Sequence, residues 1–272
     1  MSLASIFNGA TKLPSVPELV QELIDSFDDE DVKIEDIAKK LANDPVITAK
    51  ILRLANSAQM GGRRKIASVN DAVVRLGFNS VRNLVLACGL AGAFDYPRTF
   101  DKKSFWVSCF EIAAISKVLA KYGQADREIA FTCGMINDIG TLLMLASFPD
   151  ETENVLAAVA NGEPRETLEQ ATLGVTASEV SAELAKRWRF PDFIGVALRW
   201  QHQPEKSKGS ELAYILALSK FIQKNYLNHD VDELYAVLPA GLLEGANIKA
   251  ECFSSIIHEI TELESMVEGI FD

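Results

Sequence analysis

A chain of 272 residues with 48% hydrophobic and 24% charged residues has the composition of a folded globular protein, not of a disordered or collagen-like one. Its formal net charge of −11 disfavours nonspecific attraction to nucleic acid or to an anionic membrane. Much of that charge is local, since from Asn228 onward ten acids stand against Lys249 alone.

Hydrophobic spacing is helical nearly throughout and no segment alternates as a strand would, so the expected class is all-α. Pro17 opens a first helix, with Leu19, Val20, Leu23, Ile24 and Phe27 on one stripe. A second carries Ile34, Ile37, Ala38 and Leu41. Asp44 caps a third, which has Pro45 in its first turn and stops near Gly61-Gly62. Ser68 caps a short helix through Leu76, ended by Gly77, and Asn79 starts another that reaches about Ala93. The stretch Asp95–Lys103 has a proline in its middle and reads as a joint between two helical subdomains. Beyond it helices are expected over 104–122, 127–135, 138–147, 151–160, 165–173, 177–188 and 192–202. After a polar break at 204–210 they resume over 211–225, 230–238 and 250–270.

The N-terminus lacks the basic start and apolar core of a signal peptide, and no apolar run of membrane-spanning length is free of interruption, so a cytoplasmic location is expected. Cys88, Cys109, Cys133 and Cys252 lie in apolar contexts with no Cys-x-x-Cys spacing and read as buried thiols. Neither a nucleophile elbow nor a phosphate-binding or dinucleotide loop is present. Residues 34–54 could pass for a helix-turn-helix, but Asp44 would stand at the helix start that meets phosphates. Two packed helices are therefore preferred and DNA is not an expected partner. Arg63-Arg64-Lys65 is a basic loop, read either as an anion site or as a solvated turn.

One carboxylate stands out. Asp138 interrupts the apolar run Cys133–Leu145, and a charge there must be paired, coordinated or kept wet. It either belongs to a site or caps the helix that follows.

The motifs Leu13-Pro-Ser-Val-Pro, Ile37-Ala-Lys-Lys-Leu-Ala-Asn-Asp-Pro-Val, Ile51-Leu-Arg-Leu-Ala-Asn-Ser-Ala, Lys65-Ile-Ala-Ser-Val-Asn-Asp-Ala-Val-Val-Arg-Leu-Gly and Val81-Arg-Asn-Leu-Val-Leu closely resemble the HDOD family. These bacterial "HD-related output domains" are themselves similar to the HD metal-dependent phosphohydrolases. The resemblance runs from about Leu13 to His202. It implies a multi-helical fold: an N-terminal subdomain over 13–95 packed on an HD-like subdomain over 100–208, with residues 209–272 as an acidic helical extension.

It also implies where a metal would sit. The family's His-Asp pair matches Asn137-Asp138, so the histidine is absent. Its earlier ligand position matches Ser108, its later one Ala177, and its paired histidines Gln201-His202. Asn137 is a weak neutral ligand, Ser108 an uncommon one, and Ala177 none at all. Asp138 and His202 alone are too few unless Glu111 or Glu179 helps. His229 and His258 match no motif position and read as surface residues.

The expectation is thus a non-catalytic regulatory protein with no metal and no cofactor, whose partner is another protein in a signalling pathway. The cleft between subdomains would be the binding surface. Candidate contacts are Arg63, Arg64, Lys65 and Arg82 on one side and the neighbourhood of Asp138 and His202 on the other. The alternatives are a metal-dependent phosphohydrolase acting on a nucleotide or cyclic dinucleotide, and a nucleotide sensor without hydrolysis.

Overall fold

The computed structural model describes residues 3–9, 17–27, 39–42, 48–49, 52, 66–91, 93–94, 97 and 99–263. All regular structure among these is helical. The chain begins with α1 (Leu3–Gly9), which the periodicity did not reveal because it is only two turns long, and α2 (Glu18–Asp25). The expected second and third helices, the helix-turn-helix reading and Arg63-Arg64-Lys65 lie largely or wholly outside the described residues.

Ser68 caps α3 (Val69–Leu76) by accepting from the amide of Asp71, and Gly77 ends that helix at φ +81°, a conformation few other residues adopt. It is followed by α4 (Phe78–Ala91). The longest helix among the described residues, α5 (Lys102–Tyr122), is capped by Asp101 and packs along α6 (Arg127–Met135), itself capped by Asp126. Gly134 permits this closeness: a Cβ there would lie 2.4 Å from the Cα of Ala113.

A tight turn over 136–138 leads into α7 (Ile139–Ser147), which is followed by α8 (Pro149–Ala160) and α9 (Arg165–Leu173). Then comes α10 (Ala177–Arg187), which starts in a capping box formed by Thr176 and Glu179 and packs on α7. Here again a glycine sets the distance, since a Cβ on Gly140 would meet the carbonyl oxygen of Ala177 at 2.2 Å. Gly140→Ala is therefore expected to cost about 1–3 kcal/mol by forcing α7 and α10 apart. Urea unfolding checks this, and an unchanged midpoint would mean the helices yield freely.

The chain continues through α11 (Asp192–Trp200), a 3₁₀ turn (Pro204–Ser207) and α12 (Glu211–Asn225). The described residues end with the short α13 (Val231–Ala236) and α14 (Leu242–Gly245), a second 3₁₀ turn at Ala250–Cys252, and α15 (Phe253–Leu263).

Two apolar cores result. One joins Val20, Leu86 and Phe94 from the N-terminal helices to Trp106, Leu142, Val180 and Leu198. The other sits between α5 and the C-terminal helices and holds Leu119, Ile222, Phe253 and Ile256. Residues Arg127–Ser147 are apolar and long enough for a membrane span on length and composition alone, although 83% of their most apolar window is buried inside the fold. That segment is core here, broken by the turn that carries Asp138. Cys109 and Cys133 are buried as expected, whereas Cys252 is only partly covered and the side chain of Cys88 lies outside the described set.

Candidate functional site

Asp138 stands at the N-cap position of α7, yet its carboxylate makes no capping bond to the backbone. It accepts from side chains instead. The hydroxyl of Thr141 donates to Oδ1 at 2.8 Å. Arg165, at the start of α9, grips the same carboxylate with a fork, Nη1 to Oδ2 at 3.0 Å and Nη2 to Oδ1 at 2.8 Å. Such two-pronged, charge-assisted contacts are among the strongest a carboxylate makes.

The guanidinium is tied on its other edge as well. Its Nε donates to Oε1 of Glu169 at 2.7 Å, one helical turn along α9, and Oε2 of Glu169 accepts from the amide of Ala177 at 2.8 Å. Glu169 is buried, so α9 is locked to the start of α10 through one carboxylate. Lys220 on α12 adds a second cation that acts on both Asp138 and Glu169. Two positive and two negative groups are thereby gathered where solvent is scarce, which makes each charge tolerable.

Desolvation pushes the Asp138 carboxyl up, but the charges of Arg165 and Lys220 and the bonds from Arg165 and Thr141 outweigh it and hold it below the usual range. A pKa lower in the folded than in the unfolded chain contributes stability that is complete above about pH 4 and is lost as pH falls through the folded value. Acid unfolding of the wild type should show this loss, and Asp138→Asn should lack that part of the limb. Coincident acid limbs would contradict the assignment. Lys220 moves the other way: desolvation lowers it to about 8 against the opposing pull of Asp138.

Ser108, Asn137 and Asp138 line one cavity of about 570 Å³, together with Cys109, Glu111, Arg165, Lys220 and Gln223. Burial raises the Cys109 thiol well above its ordinary value, so it is no ready nucleophile. Asn137 donates its amide to the carbonyl of Gly134 at 2.7 Å, and the hydroxyl and carbonyl of Ser108 both accept from Gln223 Nε2 at 3.1 Å. Glu111 also accepts from Gln223, at 2.7 Å, and Glu179 pairs with Arg199 at 2.7 Å, so neither turns to help Asp138.

Gln201 and His202 face a second, adjoining cavity, with Lys220 on the wall between the two. His202 Nε2 lies 3.3 Å from Lys220 Nζ. Ala177 takes part only through its backbone amide. His258 is exposed beside Glu262, while His229 is half-buried, with Nδ1 3.1 Å from the carbonyl of Asn225.

The residues at the family's metal positions do not fit a divalent ion. Both oxygens of Asp138 are engaged by a guanidinium, Asn137 and Gln201 offer amides, Ser108 a hydroxyl and Ala177 a methyl, His202 faces the adjoining cavity, and among the described residues no three His, Cys, Asp or Glu converge.

Arg82 needs correcting as a surface contact. It is buried, its guanidinium stacked 3.7 Å over the ring of Phe27 with Nη1 at 3.4 Å from both oxygens of Ser26. Desolvation lowers it to about 10 despite the charges of Asp126 and Glu128.

Arg165, Thr141, Glu169, Lys220 and Gln223 were missed by motif matching. The Arg165–Glu169 spacing of four was readable as a helical ion pair, but nothing local said that the pair closes on Asp138.

Comparisons with known proteins agree with this architecture. The HDOD domain profile matches residues 13–204. A provisionally named phosphohydrolase from Shewanella amazonensis SB2B is 33% identical, with a TM-score of 0.84 over 98% of this chain and 97% of its own. An HDOD domain protein of unknown function from Geobacter sulfurreducens shares the fold at 23% identity and a TM-score of 0.83, over 99% of this chain and 98% of its own. A provisionally named signal transduction protein from Marinobacter aquaeolei VT8 shares it at 21% and 0.77, over 94% of this chain and 58% of its own. An uncharacterized protein of Treponema pallidum (strain Nichols) is 24% identical over 91% of this chain, which spans 48% of that protein's length. The chain belongs to the HDOD domain family.

Proposed function

We propose that this HDOD protein is a non-catalytic regulator of the bacterial cytoplasm, acting in signal output by binding a protein partner. The observation that carries the reading is the fork of Arg165 on Asp138. A phosphohydrolase of this architecture needs that carboxylate to hold a metal that activates water. Here an internal cation holds it, and Glu169 anchors the cation. The signal transduction name of the Marinobacter relative is in keeping with a regulatory role.

The test is elemental analysis of protein purified without chelator, paired with phosphodiesterase and phosphomonoesterase assays in manganese. No bound metal and no turnover are expected. Stoichiometric metal with turnover abolished by Asp138→Ala would instead establish a phosphohydrolase, as the name of the Shewanella relative suggests.

On the partner side, Arg63, Arg64 and Lys65 form the proposed contact, because three adjacent cations on an acidic chain make a local site for an acidic partner surface. Arg63→Glu with Arg64→Glu should weaken capture of the partner from the native host by about tenfold or more at low salt, with less effect at high salt. Undiminished capture would remove this loop from the interface.

A further inference from the structure

The cavity beside Asp138 lies where two helix faces meet. On α5, Ser104, Ser108 and Glu111 recur as a polar stripe, and Phe105, Cys109 and Ile112 as an apolar stripe next to it. On α12, Lys220, Gln223 and Lys224 share the side that faces them. The volume of about 570 Å³ suits a small molecule.

Arg165 is spent on Asp138 and Glu169, but the other charges along these two faces are not paired. Gln223 donates to Oε2 of Glu111 at 2.7 Å and so fixes that carboxylate, while Oε1 has no partner among the described residues. Glu111 is half-buried and meets no cation at ion-pair distance among them. The polar contact of Lys220 is His202, at 3.3 Å, and neither Lys220 nor the exposed Lys224 forms an ion pair among the described residues.

The signs nevertheless balance. Arg165, Lys220 and Lys224 stand against Glu111, Asp138 and, behind Arg165, Glu169. A lining without net charge offers little net attraction to an ion of either sign. Its accessible ends of opposite sign, partly desolvated and apart, instead favour a body that carries both charges at once.

We propose that this cavity binds a free α-amino acid with an apolar side chain: its ammonium on Glu111 Oε1, its carboxylate between Lys220 and Lys224, and its side chain against Phe105 and Ile112. The proposal rests on the non-catalytic reading, since it leaves Asp138 with Arg165, and it names the small molecule that would set the regulator's output.

The test is calorimetric titration of the full chain with leucine, methionine and phenylalanine. Each is run beside its N-acetyl form, which lacks the ammonium, and its amide, which lacks the carboxylate. At least one free amino acid should bind saturably, with both blocked forms about tenfold or more weaker. Glu111→Gln should weaken the free amino acid by about tenfold yet leave its N-acetyl form binding as it does to the wild type. Lys224→Met, at an exposed position, should weaken the free amino acid and leave its amide unaffected. No saturable binding of any of the three, a blocked form binding as tightly as the free amino acid, or binding unaltered in Glu111→Gln would each overturn the proposal. Bound metal with turnover would remove the non-catalytic reading, whereas a metal-free, inactive protein that binds none of the three would remove this proposal alone.

Discussion

Arg165→Ala is expected to lower the unfolding free energy by about 3–5 kcal/mol, the usual consequence of removing one partner from a buried ion cluster. The side chains of Asp138 and Glu169 are only 18% and 3% exposed, so water replaces the guanidinium poorly at Asp138 and not at all at Glu169. With Arg165 gone, its charge and hydrogen bonds no longer oppose the desolvation of Asp138, so that carboxyl rises from its wild-type position. The folded variant then binds a proton there more readily than the folded wild type, so the deficit should narrow as pH falls from neutrality. Arg165→Lys keeps a charge but loses the fork and should fall between wild type and alanine. Urea titration of the three proteins at neutral and acidic pH measures both effects. A loss below about 1 kcal/mol with no pH dependence would place the cluster in the class of solvated surface pairs and remove the carrying observation for a non-catalytic centre.

How much of this was legible beforehand depends on the range of each interaction. Local signals were read correctly: Ser68 and Gly77 bound α3, while α6, α9 and α12 have the limits their spacing implies. Of the motif positions, Ser108, Asn137 and Asp138 share one cavity, whereas Gln201 and His202 line the adjoining one. What stayed hidden was long-range. Asp138 sits where a cap belongs, but the bonds it makes come from Thr141 and from Arg165, 27 residues on. Arg82 looked like a surface cation because a guanidinium stacked on Phe27 leaves no trace in periodicity. The short helices α1 and α14 offer too few turns for a stripe to emerge.

The acidic C-terminal part bears most on function, because residues 209–272 were expected as an extension beyond the HD-like unit. Their first helix, α12, packs on both α5 and α11 and brings Lys220 and Gln223 into the cavity lined by Ser108, Asn137 and Asp138. Ser116 and Ser219 are hydrogen-bonded at 2.8 Å within the α5–α12 contact, a buried polar pair that fixes its register. Behind α12, Phe253 is 2% exposed in the second core and meets Tyr235 edge-on at 5.3 Å. Phe253→Ala is accordingly expected to cost about 3–5 kcal/mol, the loss of a buried aromatic plus the cavity it leaves. If α13–α15 brace α12 as part of one cooperative unit, urea unfolding stays a single transition with a lowered midpoint, and the quenching environment of Trp106 in the first core changes in the same transition as that of Tyr235. The acidic limb assigned to Asp138 should also begin at higher pH in this variant, because the charge network starts from a less stable fold. Two separated transitions, with the Trp106 one unmoved, would instead make the C-terminal helices an independent appendage, and Lys220 would then keep its place without them.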